Sequence, residues 1–397
     1  MASALRNVVV VGGSYVGLAV TKELVASLPA THRLLLVEPH SHFHHLFAFP
    51  RFALLPNHEH KAFIPYSAAF AGSPEASAAH HAVIKAKAVS LRPDHLVLDR
   101  PWQGSTEIPF DYLVVATGTK LQAPGTMQDD EKPLSVKYFQ AYQGRVAAAR
   151  SVILVGGGAV GVQMATDLKE LYPDKEVTLV HSRNKLMPLY HEALDGLIKS
   201  RFEELGVKAV LGTRVAMPPN GFPVDATSIT LQDGRVLTAD LIIPAVGQTP
   251  NNQFVTAGLL DPSTPEESLI NPQNGFIRVR PTLQFKDEKY PNLFAVGDIA
   301  DTGAHKAARP GSAQAAVVAK NVLAMIEGRE PRDEIVVDPA SIHLTLGLTK
   351  NVIFRNPYPD QTEYVMKPKD DGKQDMGING VWERRGVRVL SDADYHL

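Results

Sequence analysis

VVVVGGSYVGLAV, residues 8–20, sets four valines against a turn of Gly12, Gly13, Ser14, Tyr15, Val16 and Gly17. The spacing is that of the dinucleotide-binding turn G-x-G-x-x-G, with Ser14 in place of the middle glycine. In such a turn the first glycine permits the tight bend, the middle one lets backbone approach a pyrophosphate, and the last lets helix and strand pack closely. Gly12 and Gly17 fill the outer roles. Ser14 crowds a phosphate slightly and can also donate a hydrogen bond to it. The apolar run at 7–11 predicts a buried parallel strand, and Val16, Ala19, Val20 and Leu24 then recur at helical spacing. HRLLLVEPH follows as a second buried strand ending at Glu38, about 20 residues past the turn, where a carboxylate holds a ribose hydroxyl. Alternatively, the stretch is a glycine-rich connection with no ligand.

The pattern recurs. SVILVGGGAVGVQMATDLKELYPDKEVTLVHSR, residues 151–183, repeats strand, turn, amphipathic helix and strand, now with Gly156, Gly157, Gly158 and Gly161 all in place around Ala159 and Val160. Two βαβ nucleotide folds in one chain imply two dinucleotides, and the common chemical reason to hold two is hydride transfer from a nicotinamide to a flavin. FDYLVVATGT, residues 110–119, predicts a buried strand running into Ala116-Thr117-Gly118, a small-residue turn where the chain can cross close to a cofactor. TLQFKDEKYPNLFAVGDIAD, residues 282–301, predicts an edge hairpin and then a strand that delivers Asp298 to the carboxyl end of a sheet, where ligands bind in open α/β folds. There Asp298 can accept hydrogen bonds from a ribityl chain. It can also be the N-cap of the helix predicted in KAARPGSAQAAVVAKNVLAMIEG.

In this order and spacing the four segments resemble the two-dinucleotide flavoprotein family that includes glutathione reductase, type II NADH dehydrogenases and apoptosis-inducing factor. SHFHHLFAFPR (41–51), FIPYS (63–67), IPFDYLVVATGT (108–119), LYPDKEVTLVHSR (171–183) and NLFAVGDIADTGAHKAA (292–308) are similar, more narrowly, to its AIF-homologous branch. These are the AMID or ferroptosis suppressor proteins, FAD-dependent NAD(P)H:quinone oxidoreductases. The likeness fades after about residue 330. It implies an α/β fold of two Rossmann-like domains with three-layer ββα architecture plus a small α+β C-terminal domain. Residues 1–122 and 245–328 would form the FAD domain, 123–244 the NAD(P)H domain, and 329–397 a C-terminal domain near the flavin. The polar, proline-containing LQAPGTMQDDEKPL and the stretch PAVGQTPNN mark the two crossings.

The same resemblance assigns residues. Gly12, Gly13, Ser14 and Gly17 would hold the FAD pyrophosphate, Glu38 the adenosine ribose and Asp298 the ribityl chain, with Ala116, Thr117 and Gly118 passing the cofactor and the Lys87 backbone beside the adenine. Lys306, Ala307 and Ala308 sit where the family begins a helix under the flavin, whose N–H groups and dipole favour the negative charge of the reduced ring. His44, His45, Phe49, Pro50 and Arg51 match the segment that packs near the isoalloxazine. No side chain is assigned the chemistry, which the flavin carries; His44, Gln163 and Lys306 are the candidates to assist it. His44 or His45 is a proton relay or simply part of the packing. Gln163 departs from the family, which commonly has a glutamate there beside the nicotinamide ribose.

Gly156, Gly157, Gly158, Val160, Gly161 and Gly247 would hold NAD(P)H. NADH-preferring sites usually end the second strand with a carboxylate for the 2′-hydroxyl, but here the strand runs into His181, Ser182 and Arg183, followed by Lys185. No acid stands there to repel a 2′-phosphate, and Arg183 can pair with one, so NADPH is expected to be accepted. Otherwise Arg183 is a solvated surface charge.

Composition excludes several classes. The 397 residues contain no cysteine, which rules out disulfides, thiolate metal sites, cysteine nucleophiles and a redox-active C-x-x-C; no metal site is expected. A net charge of −2 gives no electrostatic footprint for nucleic acid. No apolar run reaches the length of a membrane span, and neither a secretory signal nor an N-myristoylation glycine opens the chain. A cytoplasmic monomer or homodimer is expected, with peripheral contact to a membrane or lipid droplet left open. The tail VMKPKDDGKQDMGINGVWERRG, with Trp382 as its main apolar anchor, is expected to be a solvated lid. Three functions stay open: electron transfer to a quinone-type acceptor, a specialised biosynthetic redox step on another small molecule, and an AIF-like signalling or cell-death role.

Overall fold

The computed structural model describes residues 5–218, 221–260 and 266–397. The opening stretch folds as strand β1 (Arg6–Val11), the glycine turn and helix α1 (Tyr15–Val25), followed by strand β2 (His32–Val37). β1 and β2 pair in parallel from Arg6 opposite His32 to Val11 opposite Val37. They lie inside a parallel five-stranded sheet with the order 293–295, 112–115, β1, β2, 82–84. Val8 and Val10 join the core that includes Leu18 and Leu24 of α1, whereas Val9 and Val11 join Leu91, Leu96 and Ile108 of an antiparallel sheet spanning 88–109. Burial on both faces is why the run is continuous rather than alternating, and it produces the three layers.

Strand β3 (Ser151–Val155), helix α2 (Ala159–Leu171) and strand β4 (Glu176–Val180) build the unit a second time. Their parallel sheet has the order 208–210, β4, β3, 241–244. A hairpin turning at Asp233-Gly234 forms between 228–230 and 236–238, with Gly234 at φ +87°. The two stretches that run between the sheets, Thr119–Leu121 and Gln248–Pro250, pair with each other as an antiparallel ribbon. The edge hairpin expected within 282–301 is reduced to single bridges, Gln284 with Phe294 and Phe285 with Val279.

Helix α3 (Ala308–Ile326) crosses α1 closely, since a Cβ at Gly311 would lie 2.4 Å from Val16 Cγ2. The chain ends in three antiparallel strands (341–345, 351–355 and 365–368), helix α4 (Ile378–Arg384) and a 3-10 turn at 392–396. This tail is not the solvated lid its polarity suggests. Trp382 is fully buried, and its Nε1–H donates to the Lys61 carbonyl at 2.8 Å. The buried Lys132 ammonium donates to the main-chain oxygens of Phe63 (3.1 Å), Tyr395 (2.7 Å) and Leu397 (2.7 Å), and desolvation brings its pKa down to about 8. The polar residues of the tail face water, while one tryptophan and one lysine fasten its other side. Among the described residues no helix is long and apolar enough to cross a membrane.

Arg51, expected beside the flavin, is instead a joint between three parts of the chain. Its fully buried guanidinium pairs with Asp167 of α2 at 2.5 Å and donates to the carbonyls of Gly347 (2.8 Å), Gln374 (2.9 Å) and Leu348 (3.1 Å). Removing one partner of such a pair leaves a buried charge without compensation, which costs about 3–5 kcal/mol. Asp167→Ala is therefore expected to lower the thermal unfolding midpoint sharply, and Arg51→Met combined with Asp167→Leu to recover most of the loss. An Asp167→Ala protein that melts with the parent would show that the pair carries no such burden.

Candidate functional site

The first glycine turn is fixed by close contacts. Gly12 has φ +105°, and a Cβ there would lie 2.6 Å from the Ala116 carbonyl oxygen; a Cβ at Gly17 would lie 1.7 Å from the Gly12 oxygen. The Gly13 N–H donates to Glu38 Oε2 at 2.6 Å, and the Tyr66 hydroxyl donates to the Gly13 carbonyl at 2.9 Å. Glu38 thus stands buried at the end of β2 against the turn, its second oxygen held by the His40 backbone N–H at 3.0 Å and the His40 ring. Ser14 is the N-cap of α1, and its hydroxyl makes no cap hydrogen bond. That hydroxyl and the first N–H groups of α1 fit an anionic ligand.

Asp298 lies in a 3-10 turn (Gly297–Ile299) just past the strand 293–295. It is not the N-cap of α3. That place belongs to Ala307, nine residues further on, whose side chain is only a methyl group, so the first turn of α3 has no side-chain cap. Asp298 is half-buried, and among the described residues no protein group donates to it; burial raises its pKa, and the nearby Lys306 charge offsets part of that. A buried carboxylate without donors is what a polyhydroxyl chain would satisfy. Lys306 itself donates to the Ala300 carbonyl at 2.6 Å and lies 4.0 Å from the Phe276 ring centroid.

Other assigned residues do different work. His44 is packed among the rings of His40, Phe49 and Phe63, and His45 Nδ1 shares a 2.7 Å hydrogen bond with the Tyr15 hydroxyl. Burial keeps both histidines neutral, His44 well below its usual range and His45 at about 3. Thr117 ties down the crossing ribbon: its hydroxyl donates to the Asn251 carbonyl at 2.7 Å, and the Asn251 amide returns a bond to the Thr117 carbonyl at 2.9 Å. Gly118, at φ +57°, turns the chain into that ribbon. Lys87 does not offer its backbone to a ligand, because its N–H donates to the Asp99 carboxylate and its carbonyl accepts from the Asp99 N–H.

The second turn copies the first. Gly156 has φ +126° against the Ala245 carbonyl, and a Cβ at Gly161 would lie 1.9 Å from the Gly156 oxygen. A Cβ at Gly158 would meet nothing within 4 Å, and Val160 follows in the first turn of α2. The Gly157 N–H donates at 3.0 Å to His181 Nδ1, so His181 stands at the end of β4 as Glu38 stands at the end of β2. Burial, reinforced by the Arg183 charge, lowers the His181 pKa. A neutral ring that accepts at Nδ1 must carry its proton on the buried Nε2, and the Lys185 backbone supplies the ring's other polar contact.

Ser182 and Arg183 are exposed beside it, and the Lys185 ammonium donates to the Tyr190 carbonyl at 2.7 Å. Gly247, at φ +76°, lies between the strand 241–244 and the crossing ribbon. Gln163 is buried on α2 with its amide 3.9 Å from Met376 Sδ of the tail. Tyr66 went unnoticed in the sequence because nothing in FIPYS announces a contact with a glycine 53 residues away.

Residues 6–319 match the family model for pyridine nucleotide-disulphide oxidoreductases, and the chain belongs to that family. It is 33% identical over 400 residues to Fe-regulated protein 8 of Mycosarcoma maydis, covering 96% of this chain and 95% of that one. To ferroptosis suppressor protein 1 of Mus musculus it is 28% identical over 357 residues, 87% of each. Among solved structures, the sulfide:quinone oxidoreductase of Aquifex aeolicus superposes with a TM-score of 0.73 at 17% identity, over 97% of this chain and 93% of that one. The protein is an FAD-dependent pyridine nucleotide oxidoreductase.

With Asp298 the free acceptor at this site, Asp298→Ala is expected to lose most of its flavin during purification. Full flavin occupancy in that variant would remove Asp298 from the cofactor site.

Proposed function

We propose that this protein oxidises NADPH at least as readily as NADH and passes the electrons from its flavin directly to a quinone. In this proposal FAD belongs to the unit of residues 1–122 and 245–328, NAD(P)H to 123–244, and the acceptor meets the flavin under 329–397. When bound, the nicotinamide and FAD supply hydride donation and a two-electron store. The chain supplies position and electrostatics. Glu38 and Asp298 accept from sugar hydroxyls, and the uncapped first turns of α1 and α3 face negative charge.

The observation that carries the acceptor is the absence of cysteine. Relatives with an active-site disulfide take electrons off the flavin through sulfur, a route closed here, so electrons leave the ring to a molecule that reaches it. A flat conjugated quinone stacks on such a ring and takes one or two electrons without a dedicated acid, which suits a neighbourhood whose histidines burial keeps neutral. Trp382 does not line the entrance, because it closes the core around Lys61. For the donor, support comes from His181: a neutral ring where a carboxylate would repel a 2′-phosphate, with Arg183 and Ser182 exposed next to it.

Stopped-flow mixing of NADPH-reduced enzyme with quinones, oxygen and small electrophiles tests the acceptor. Quinone is expected to reoxidise the flavin faster than oxygen does, and reoxidation by quinone no faster than by oxygen would favour a biosynthetic partner. In the same instrument Arg183→Ala is expected to weaken NADPH by about tenfold to a hundredfold while leaving NADH nearly unchanged. Equal losses for both nucleotides would reduce Arg183 to a surface charge.

A further inference from the structure

Arg385, just past α4, carries a half-buried guanidinium over two rings, with its carbon 4.1 Å from the centroid of Phe43 and 5.6 Å from that of Tyr15. Tyr15 is the first residue of α1 and follows directly on Gly13 and Ser14. Tyr66, which also feels the Arg385 charge, places its hydroxyl on the Gly13 carbonyl. The cation therefore stands beside the first turn of α1.

Among the described residues nothing neutralises it. The groups that face Arg385 are the Tyr15 and Tyr66 phenols, both held protonated by burial, the neutral His45 ring and a second cation, Arg384. Among the described residues no carboxylate pairs with Arg385 and no acceptor takes a hydrogen bond from it. A guanidinium drawn out of water without an anion is costly, and stacking on rings offsets only part of that cost. Its five N–H donors form a fork that matches phosphate oxygens.

We propose that Arg385 binds the pyrophosphate of FAD, closing from the C-terminal tail the anion site whose floor is the Gly12–Gly17 turn. This rests on FAD occupying the first of the two turns. The family match ends at residue 319, so the cation comes from outside the two-dinucleotide core. Because the tail is fastened by Trp382 and Lys132, release of FAD is coupled to undocking of residues 378–397.

The holoenzyme tests this. Flavin release after dilution, followed by the rise in free-flavin fluorescence, is expected to quicken by about tenfold or more in Arg385→Gln, with a shallower dependence on salt, and Arg385→Lys is expected to recover part of the loss. The phosphorus resonances of bound FAD should move in both variants. Should Arg385→Gln fail to fold, Arg385→Lys carries the test, since it keeps the charge but not the fork. Release within twofold of the parent together with unmoved phosphorus resonances overturns the proposal. A parent protein that purifies without flavin overturns the assignment on which it rests.

Discussion

The carbonyl oxygen of Gly12 occupies the space that a side chain at residue 17 would need, and the Gly156 oxygen does the same opposite Gly161. That contact presses each helix onto its strand, and it requires glycine at both ends of the turn. From it follow the positive φ angles of Gly12 and Gly156, the approach of those residues to Ala116 and Ala245 on the neighbouring strands, and the aim of each helix N-terminus. The middle position is different. A Cβ at Gly158 meets no protein atom, so the fold places no demand on it and Ser14 at the matching point of the first turn breaks no packing rule. Only a ligand would feel the serine, and to a phosphate its hydroxyl is a donor.

Two copies of one device serve two dinucleotides through the residue that receives the second N–H of each turn. Glu38 brings a buried carboxylate, an acceptor for ribose hydroxyls, to Gly13. His181 brings a neutral ring to Gly157. In the proposed function a carboxylate at that place would repel a 2′-phosphate, whereas the exposed Arg183 would attract one.

The sheets, the glycine turns and the start of α3 near Ala308 were legible because each depends on residues close in sequence: apolar runs, glycine spacing and strand ends. What was not legible depends on long-range pairing. Arg51 reads as part of a flavin segment, yet its partner Asp167 is 116 residues away and its remaining acceptors lie in the tail. Lys132 is unremarkable in a polar stretch and Trp382 reads only as the apolar anchor of a polar tail; the folded chain brings them to the carbonyls of residues 61–63 and 395–397. Asp298 was readable as a helix cap until the helix proved to begin ten residues later. Arg385 gave no signal at all, since an arginine after a tryptophan-containing helix has no motif.

The central claim is a single redox centre fed by a nicotinamide nucleotide, and an anaerobic titration of the holoenzyme with NADPH measures it most directly. With no cysteine in the chain there is no disulfide to take a second pair of electrons. The flavin absorbance is therefore predicted to bleach completely and to end at one NADPH per FAD. An end point at two equivalents, or a flavin that NADPH leaves oxidised, would contradict the account.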